Sequence, residues 1–242
     1  MVNEERNGKM KTELIVALDV ASVEEAVAKV KQIGDAVTFY KIGLELYSAV
    51  GPDVVNAVKD FGKKIFLDLK LHDIPRTVER AVKSIGSLGV DLTTIHAAGG
   101  RAMARAAKDA ALTFGERAPK ILAVTMLTSL DQTDLDDLGI GRSMSEQVAA
   151  LGKLACGNGA DGVVCSPKEV AMMRQTLGAE ALLVTPGVRP AGAAVGDQKR
   201  VATPADAVRA GSTHLVVGRP ILQADDPASA ARAIRAEMES CQ

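Results

Sequence analysis

Residues 64–96 read KIFLDLKLHDIPRTVERAVKSIGSLGVDLTTIH, and their reading decides the fold. The first seven are apolar except at Lys64, Asp68 and Lys70, as in a buried strand. A stretch of helical spacing follows from Pro75 to Leu88, and a second apolar run begins at Asp91. Strand, helix and strand within some 33 residues make a βαβ unit, which pairs its strands in parallel. The same alternation extends in both directions. Further strands are predicted at 13–19, 37–42, 120–125, 162–165, 182–185 and 214–217, with 64–70 and 91–96 completing eight. Helices are predicted at 23–33, 44–61, 75–88, 100–114, 144–157, 167–177, 204–210 and 227–239. Those at 167, 204 and 227 begin with Pro after Ser, Thr or Asp, as a first helical turn prefers. Eight βα repeats predict an α/β fold of the closed (β/α)8 TIM-barrel type. The rival is an open doubly wound sheet. Its dinucleotide-binding form needs a Gly-rich first turn, where this chain reads DVASVEE.

Composition sets the outer limits. The 242 residues carry 29 Lys+Arg against 30 Asp+Glu, a formal net charge of −1. Apolar residues are 47% and aromatics 2%, with no Trp. A nucleic-acid binder would show a basic stripe and stacking aromatics, so that class is not expected. No apolar run approaches the ~18 residues of a membrane span. Three cysteines (Cys156, Cys165, Cys241) share no metal-ligand spacing and suit a reducing, cytoplasmic setting. Residues 1–11 are polar and read as a frayed leader, and 12–242 as one domain.

Strand parity identifies the candidate site. Side chains alternate across a strand, so Ile65, Leu67 and Leu69 face one side and Phe66, Asp68 and Lys70 the other. If the first set packs on helices, Asp68 and Lys70 point into the barrel mouth, beside Asp73 where the helix starts. The same test sends Ile15, Ala17 and Asp19 inward on the first strand, and Val37, Phe39 and Lys41 on the second. Four buried charges of alternating sign are costly unless paired or put to use. After the last strand, Gly218 would let the backbone approach a phosphate and Arg219 could grip it. Two connections, 126–143 and 186–202, are long for plain turns and lie on the face where barrel enzymes place their sites. The first carries Thr128 and Ser129. The second carries Arg189, Gln198, Lys199 and Arg200, contacts for a closing lid. His72, His96 and His214 lack zinc-site spacing and read as packing or local hydrogen-bonding residues.

In order, these motifs are L-D at Asp19, K-I-G at Lys41, D-L-K-L-H-D-I-P-x-T from Asp68 to Thr77, L-T-S, T-P-G-V-R, D-Q-x-R and V-G-R. Taken together, the chain resembles the orotidine 5′-monophosphate decarboxylase family from about Leu14 to the last helix. Arg76 departs from the family's usual Asn. The resemblance implies orotidine 5′-monophosphate as substrate, with uridine 5′-monophosphate and CO2 as products, and neither metal nor cofactor. It makes Lys70 the acid that protonates C6 and sets Asp68 against the substrate carboxylate. Lys41 and Asp19 would hold the charge network and the ribose hydroxyls. It implies a homodimer in which Asp73 and Thr77 reach the neighbouring subunit's site. Thr128 or Ser129 would read the pyrimidine edge. Pro186, Arg189, Gln198, Gly218 and Arg219 would line the substrate and its phosphate under the 186–202 lid. Two other readings remain: a Mg2+-dependent sugar-phosphate decarboxylase or aldolase, which carries an acidic residue in place of Lys41, and an idle phosphate-ligand binder.

Overall fold

In a computed structural model that describes residues 11–190 and 202–241, eight parallel strands pair in chain order and the eighth returns to the first, closing a barrel. The strands are β1 Glu13–Ala17, β2 Phe39–Gly43, β3 Lys64–Leu71, β4 Leu92–His96, β5 Lys120–Val124, β6 Gly162–Val164, β7 Leu182–Thr185 and β8 His214–Val217. The helices are α1 Val23–Ile33, α2 Leu44–Val50, α3 Asp53–Lys59, α4 Pro75–Ser87, α5 Gly100–Leu112 and α6 Gln132–Asp137. They continue with α7 Met144–Cys156, α8 Val170–Leu177, α9 Pro204–Ala210, α10 Arg219–Leu222 and α11 Pro227–Glu239. The expected (β/α)8 barrel is therefore present.

The apolar pattern sorts into three clusters. Ile15, Ala17, Phe39, Phe66, Leu92, Leu122, Val184 and Val216 fill the barrel interior. Two larger clusters lie between strands and helices: one includes Val16, Ile42, Leu67 and Leu215, the other Ile95, Ile121, Val163 and Leu183. Each inward residue is followed by an outward one, the pleat alternation that drove the reading of Asp68. Val37 is an exception. It precedes β2 and packs in the outer cluster, so strand parity does not apply to it.

Several boundaries differ for local reasons. The helix expected over 44–61 is two, because Gly51 takes φ 65° and Pro52 follows it, closing α2 and opening a new first turn. The 167–177 segment opens as a single 3-10 turn, Pro167–Glu169, before α8. The 126–143 connection is not structureless. It contains α6, started by a reciprocal cap in which the Asp131 side chain accepts from Thr133 N–H and Asp134 accepts from Asp131 N–H. The second long connection is pinched at its base, where Val188 and Ala202 form a parallel bridge and Arg189 N–H donates to Ala202 O at 3.0 Å. The expectations for residues 1–10 and for 191–201, including Gln198, Lys199 and Arg200, lie outside the described residues. No helix of the described residues is long and apolar enough to cross a membrane.

Candidate active site

At the C-terminal ends of β1, β2 and β3, four charged side chains form a continuous chain. Lys41 Nζ lies 3.3 Å from Asp19 Oδ1 and 4.0 Å from Asp68 Oδ2, and Lys70 Nζ donates to Asp68 Oδ2 at 2.8 Å. Asp68 is the shared anion and is well buried, while the outer end at Asp19 opens to solvent. Parity thus aimed these residues correctly. The register between β2 and β3 sets Gly43 directly beside Asp68. A Cβ on Gly43 would stand 2.7 Å from Lys41 Nζ, so the glycine clears the ammonium's place in the chain. Gly218 serves the other flank: a Cβ there would come within 3.2 Å of Asp19 Oδ2.

Lys70 carries the one positive φ outside glycine among the described residues, 52°. A left-handed conformation costs an L-residue about 1–2 kcal/mol, and such strain concentrates at functional sites. Strand reading could not show it. Sequence reasoning also missed Thr94, a fully buried β4 residue. Its hydroxyl donates to Asp68 Oδ1 at 2.9 Å and accepts from Lys70 N–H at 2.8 Å. The signal was available, since Leu92, Thr94 and His96 share the inward face of β4 by the parity test applied elsewhere.

Two histidines read as packing residues also stand at this end. The rings of His72 and His96 are tilted by 35° with centroids 5.4 Å apart. Burial, with His72 and Lys70 adding to it, holds His96 below the usual histidine range against the pull of Asp68.

The remaining candidates divide. Asp73 and Thr77 do not join the network within one chain. Residues 72–77 are all exposed, and the Asp73 carboxylate accepts from its neighbour Ile74 N–H at 2.6 Å. Thr128 and Ser129 form a turn after β5, with Leu130 N–H bonded to Leu127 O at 3.1 Å. Pro186 follows β7, and Arg189 donates to Val188 O at 2.9 Å on the described stem of the long connection. Gly218 precedes α10, whose first residue is the exposed Arg219. Among the described residues, no three or more His, Cys, Asp or Glu side chains gather to hold a metal ion.

A parallel (β/α)8 barrel with a strained lysine and alternating Asp/Lys charges at its strand ends has the make-up of a barrel enzyme acting on a charged small molecule. Comparison with known proteins narrows this. The chain belongs to the orotidine 5′-phosphate decarboxylase / HUMPS family, whose model matches residues 12–234. It is 51% identical over 225 residues to the orotidine 5′-phosphate decarboxylase of Rhodopseudomonas palustris (strain BisB5), covering 93% of this chain and 94% of the relative. It is 48% identical over 234 residues to that of Moorella thermoacetica, covering 95% and 93%. The crystal structure of orotidine 5′-phosphate decarboxylase from Lactobacillus acidophilus superposes with a TM-score of 0.84 at 42% identity, covering 94% of this chain and 99% of that one.

Proposed function

We propose that this chain is a carboxy-lyase that converts orotidine 5′-monophosphate to uridine 5′-monophosphate and CO2 in pyrimidine biosynthesis. The single observation that carries the mechanism is the Lys41–Asp68–Lys70 chain at the mouth. Decarboxylation leaves an electron pair on C6 of the pyrimidine, and no electron sink within the ring absorbs it. The site must therefore offer a cation already in place where that charge develops. Lys70 does so: the C6–carboxylate bond breaks, CO2 departs, and an Nζ proton moves to C6. Asp68 faces the departing carboxylate and disfavours the bound anion relative to the less charged transition state. Lys41 and Asp19 hold the network and the ribose hydroxyls. Thr128 or Ser129 reads the pyrimidine edge. Pro186, Arg189, Gln198, Gly218 and Arg219 line the substrate and its phosphate, and binding energy from the phosphate drives closure of 186–202.

Lys41 favours this reading over a Mg2+-dependent sugar-phosphate enzyme of the same family. Its ammonium lies between Asp19 and Asp68, supplying positive charge where the metal-dependent reading calls for a further carboxylate. An idle phosphate binder would have no use for a lysine in strained backbone. The exposed 72–77 segment, with Ile74 67% exposed beside Asp73 and Thr77, supports a homodimer in which those two residues complete the partner's site. A cytoplasmic setting suits a nucleotide substrate and free cysteines. The test is turnover of orotidine 5′-monophosphate in excess EDTA, followed by loss of its ultraviolet absorbance. Sustained turnover is expected. Activity that vanishes in EDTA and returns with Mg2+ would overturn the metal-independent mechanism, and no turnover under any condition would overturn the assignment.

A further inference from the structure

The pairing of β3 with β4 breaks step at the site. Phe66 pairs with Leu92 and Leu67 with Thr93, but the next pair is Leu71 with Ile95. Three residues of β3 (Asp68, Leu69, Lys70) therefore run opposite Thr94 alone. Extra residues of this kind leave backbone groups without ladder partners, and such bulges re-aim side chains. Here the displaced group is Lys70 N–H, and the Thr94 hydroxyl accepts its hydrogen bond at 2.8 Å. That hydroxyl's own proton goes to Asp68 Oδ1 at 2.9 Å, while Asp68 Oδ2 accepts from Lys70 Nζ at 2.8 Å. The directions are fixed, because an amide can only donate and a carboxylate can only accept. The contacts close a ring that runs from the Lys70 backbone through Thr94 and the Asp68 carboxylate to the Lys70 ammonium.

We infer that Thr94 is a positioning residue for the decarboxylation, holding Lys70 in its left-handed conformation and Asp68 in its orientation through one hydroxyl. The inference rests on the decarboxylase reading for its kinetic consequence, though not for its geometry. Thr94 is fully buried, and its branched Cβ restricts the hydroxyl to few rotamers, so the ring is stiff. Without the hydroxyl, Lys70 N–H loses its partner and the strained backbone has less to hold it. The ammonium then moves relative to the reacting carbon, and a misplacement of about 1 Å costs about 100-fold in rate.

Thr94→Val swaps the hydroxyl for a methyl of nearly equal volume, and Thr94→Ser keeps the hydroxyl. The control is Thr93→Val on the same strand, since the Thr93 hydroxyl is buried and has no hydrogen-bond partner among the described residues. Thr94→Val should lower kcat about 100-fold, with KM for orotidine 5′-monophosphate held within about threefold. Thr94→Ser should recover kcat to within about tenfold of the parent, and Thr93→Val should stay within about twofold. Crystal structures of the parent and Thr94→Val provide a readout independent of turnover, with Lys70 expected to leave positive φ and to separate from Asp68. The inference is overturned if Thr94→Val keeps near-parental kcat, if Thr94→Ser is as impaired as Thr94→Val, or if Lys70 keeps its φ and its Asp68 contact without the hydroxyl. An inactive parent would instead overturn the decarboxylase reading, and the two crystal structures would still decide the positioning role.

Discussion

The two ends of the barrel are built from the same chemistry and differ in what the backbone does. At the floor, where strands begin, Lys64 donates to both Glu13 oxygens at 3.2 and 2.9 Å and lies 5.5 Å from the centre of the Phe39 ring. His214 meets Phe39 edge-on at 5.9 Å and bonds through Nδ1 with the Thr213 hydroxyl at 2.9 Å. Its Nε2 stands 3.8 Å from Glu13, too far for a hydrogen bond. Every one of these residues occupies ordinary backbone, and the Lys64–Glu13 pair stands against the Phe39 ring. At the mouth, Asp19, Lys41, Asp68 and Lys70 link four charges into one chain, with β3 bulged at 68–70 and Lys70 held at φ 52°. The floor spends its charges on closing the barrel. The mouth keeps its own concentrated and strained, as the proposed decarboxylation asks of the groups that meet its substrate.

The difference can be broken in four ways, beginning with the largest effect. Asp68→Asn keeps an acceptor for Thr94 but removes the charge shared by Lys41 and Lys70. Its kcat on orotidine 5′-monophosphate should fall by about 10^3 or more, ~4 kcal/mol of transition-state stabilisation, with the far-ultraviolet circular dichroism of the parent. The second test addresses the floor. Burial pushes the His214 imidazole down to about 4, with Lys64 adding and Glu13 opposing. The unfolded chain takes up a proton near pH 6.5 that the folded chain refuses until about pH 4, so stability falls as pH drops through that window. At 1.36 kcal/mol per pH unit the loss reaches about 3 kcal/mol. Denaturant unfolding at pH 7, 5.5 and 4 should show His214→Gln losing less stability than the parent over that range, while kcat at pH 7 is unchanged. Equal pH sensitivity in both would remove His214 as the cause.

Gly43→Ala comes third. The added methyl lies on rigid backbone and must displace the Lys41 ammonium, so kcat should drop about 10- to 100-fold, ~1.4–2.7 kcal/mol. Full activity in that variant would mean that the ammonium position is not critical. The smallest effect isolates strain. Lys70→Ala and Lys70→Gly lose the same ion pair, yet only glycine is at ease at positive φ. The glycine variant should therefore be the more stable by about 1 kcal/mol, the reverse of the usual order within a strand. Thermal melts of the two decide it, and an alanine variant that melts higher would contradict the strain.

Much of this was legible before any coordinates. The barrel followed from eight βα repeats, and period-two alternation aimed Asp68, Lys70, Lys41 and Asp19 at one opening. Other features obeyed rules that the chain also displays: Gly51-Pro52 splits a helix, and Asp131 with Asp134 caps a short one. Parity applied to β4 would have added Thr94. Two things were beyond reach. Val37 looked inward because the strand's first residue could not be fixed from an apolar run. The bulge at 68–70 is a property of two strands whose registers disagree, and neither strand carries it alone. The left-handed Lys70 follows from that bulge, so parity placed the side chain correctly without revealing how it gets there. Asp73 entered as the carboxylate that closes the third-strand motif and Thr77 by family resemblance, and among the described residues neither joins the network.

The central claim is that the mouth works and the floor only supports. The most direct measurement compares turnover of orotidine 5′-monophosphate by Lys70→Ala and Lys64→Ala, each verified as folded. Lys70→Ala is predicted to lose at least about 10^3 in kcat. Lys64→Ala should keep parental turnover and lose no more than about 1 kcal/mol of stability from its half-exposed pair. A folded Lys70→Ala protein that decarboxylates at close to the parental rate would contradict the account.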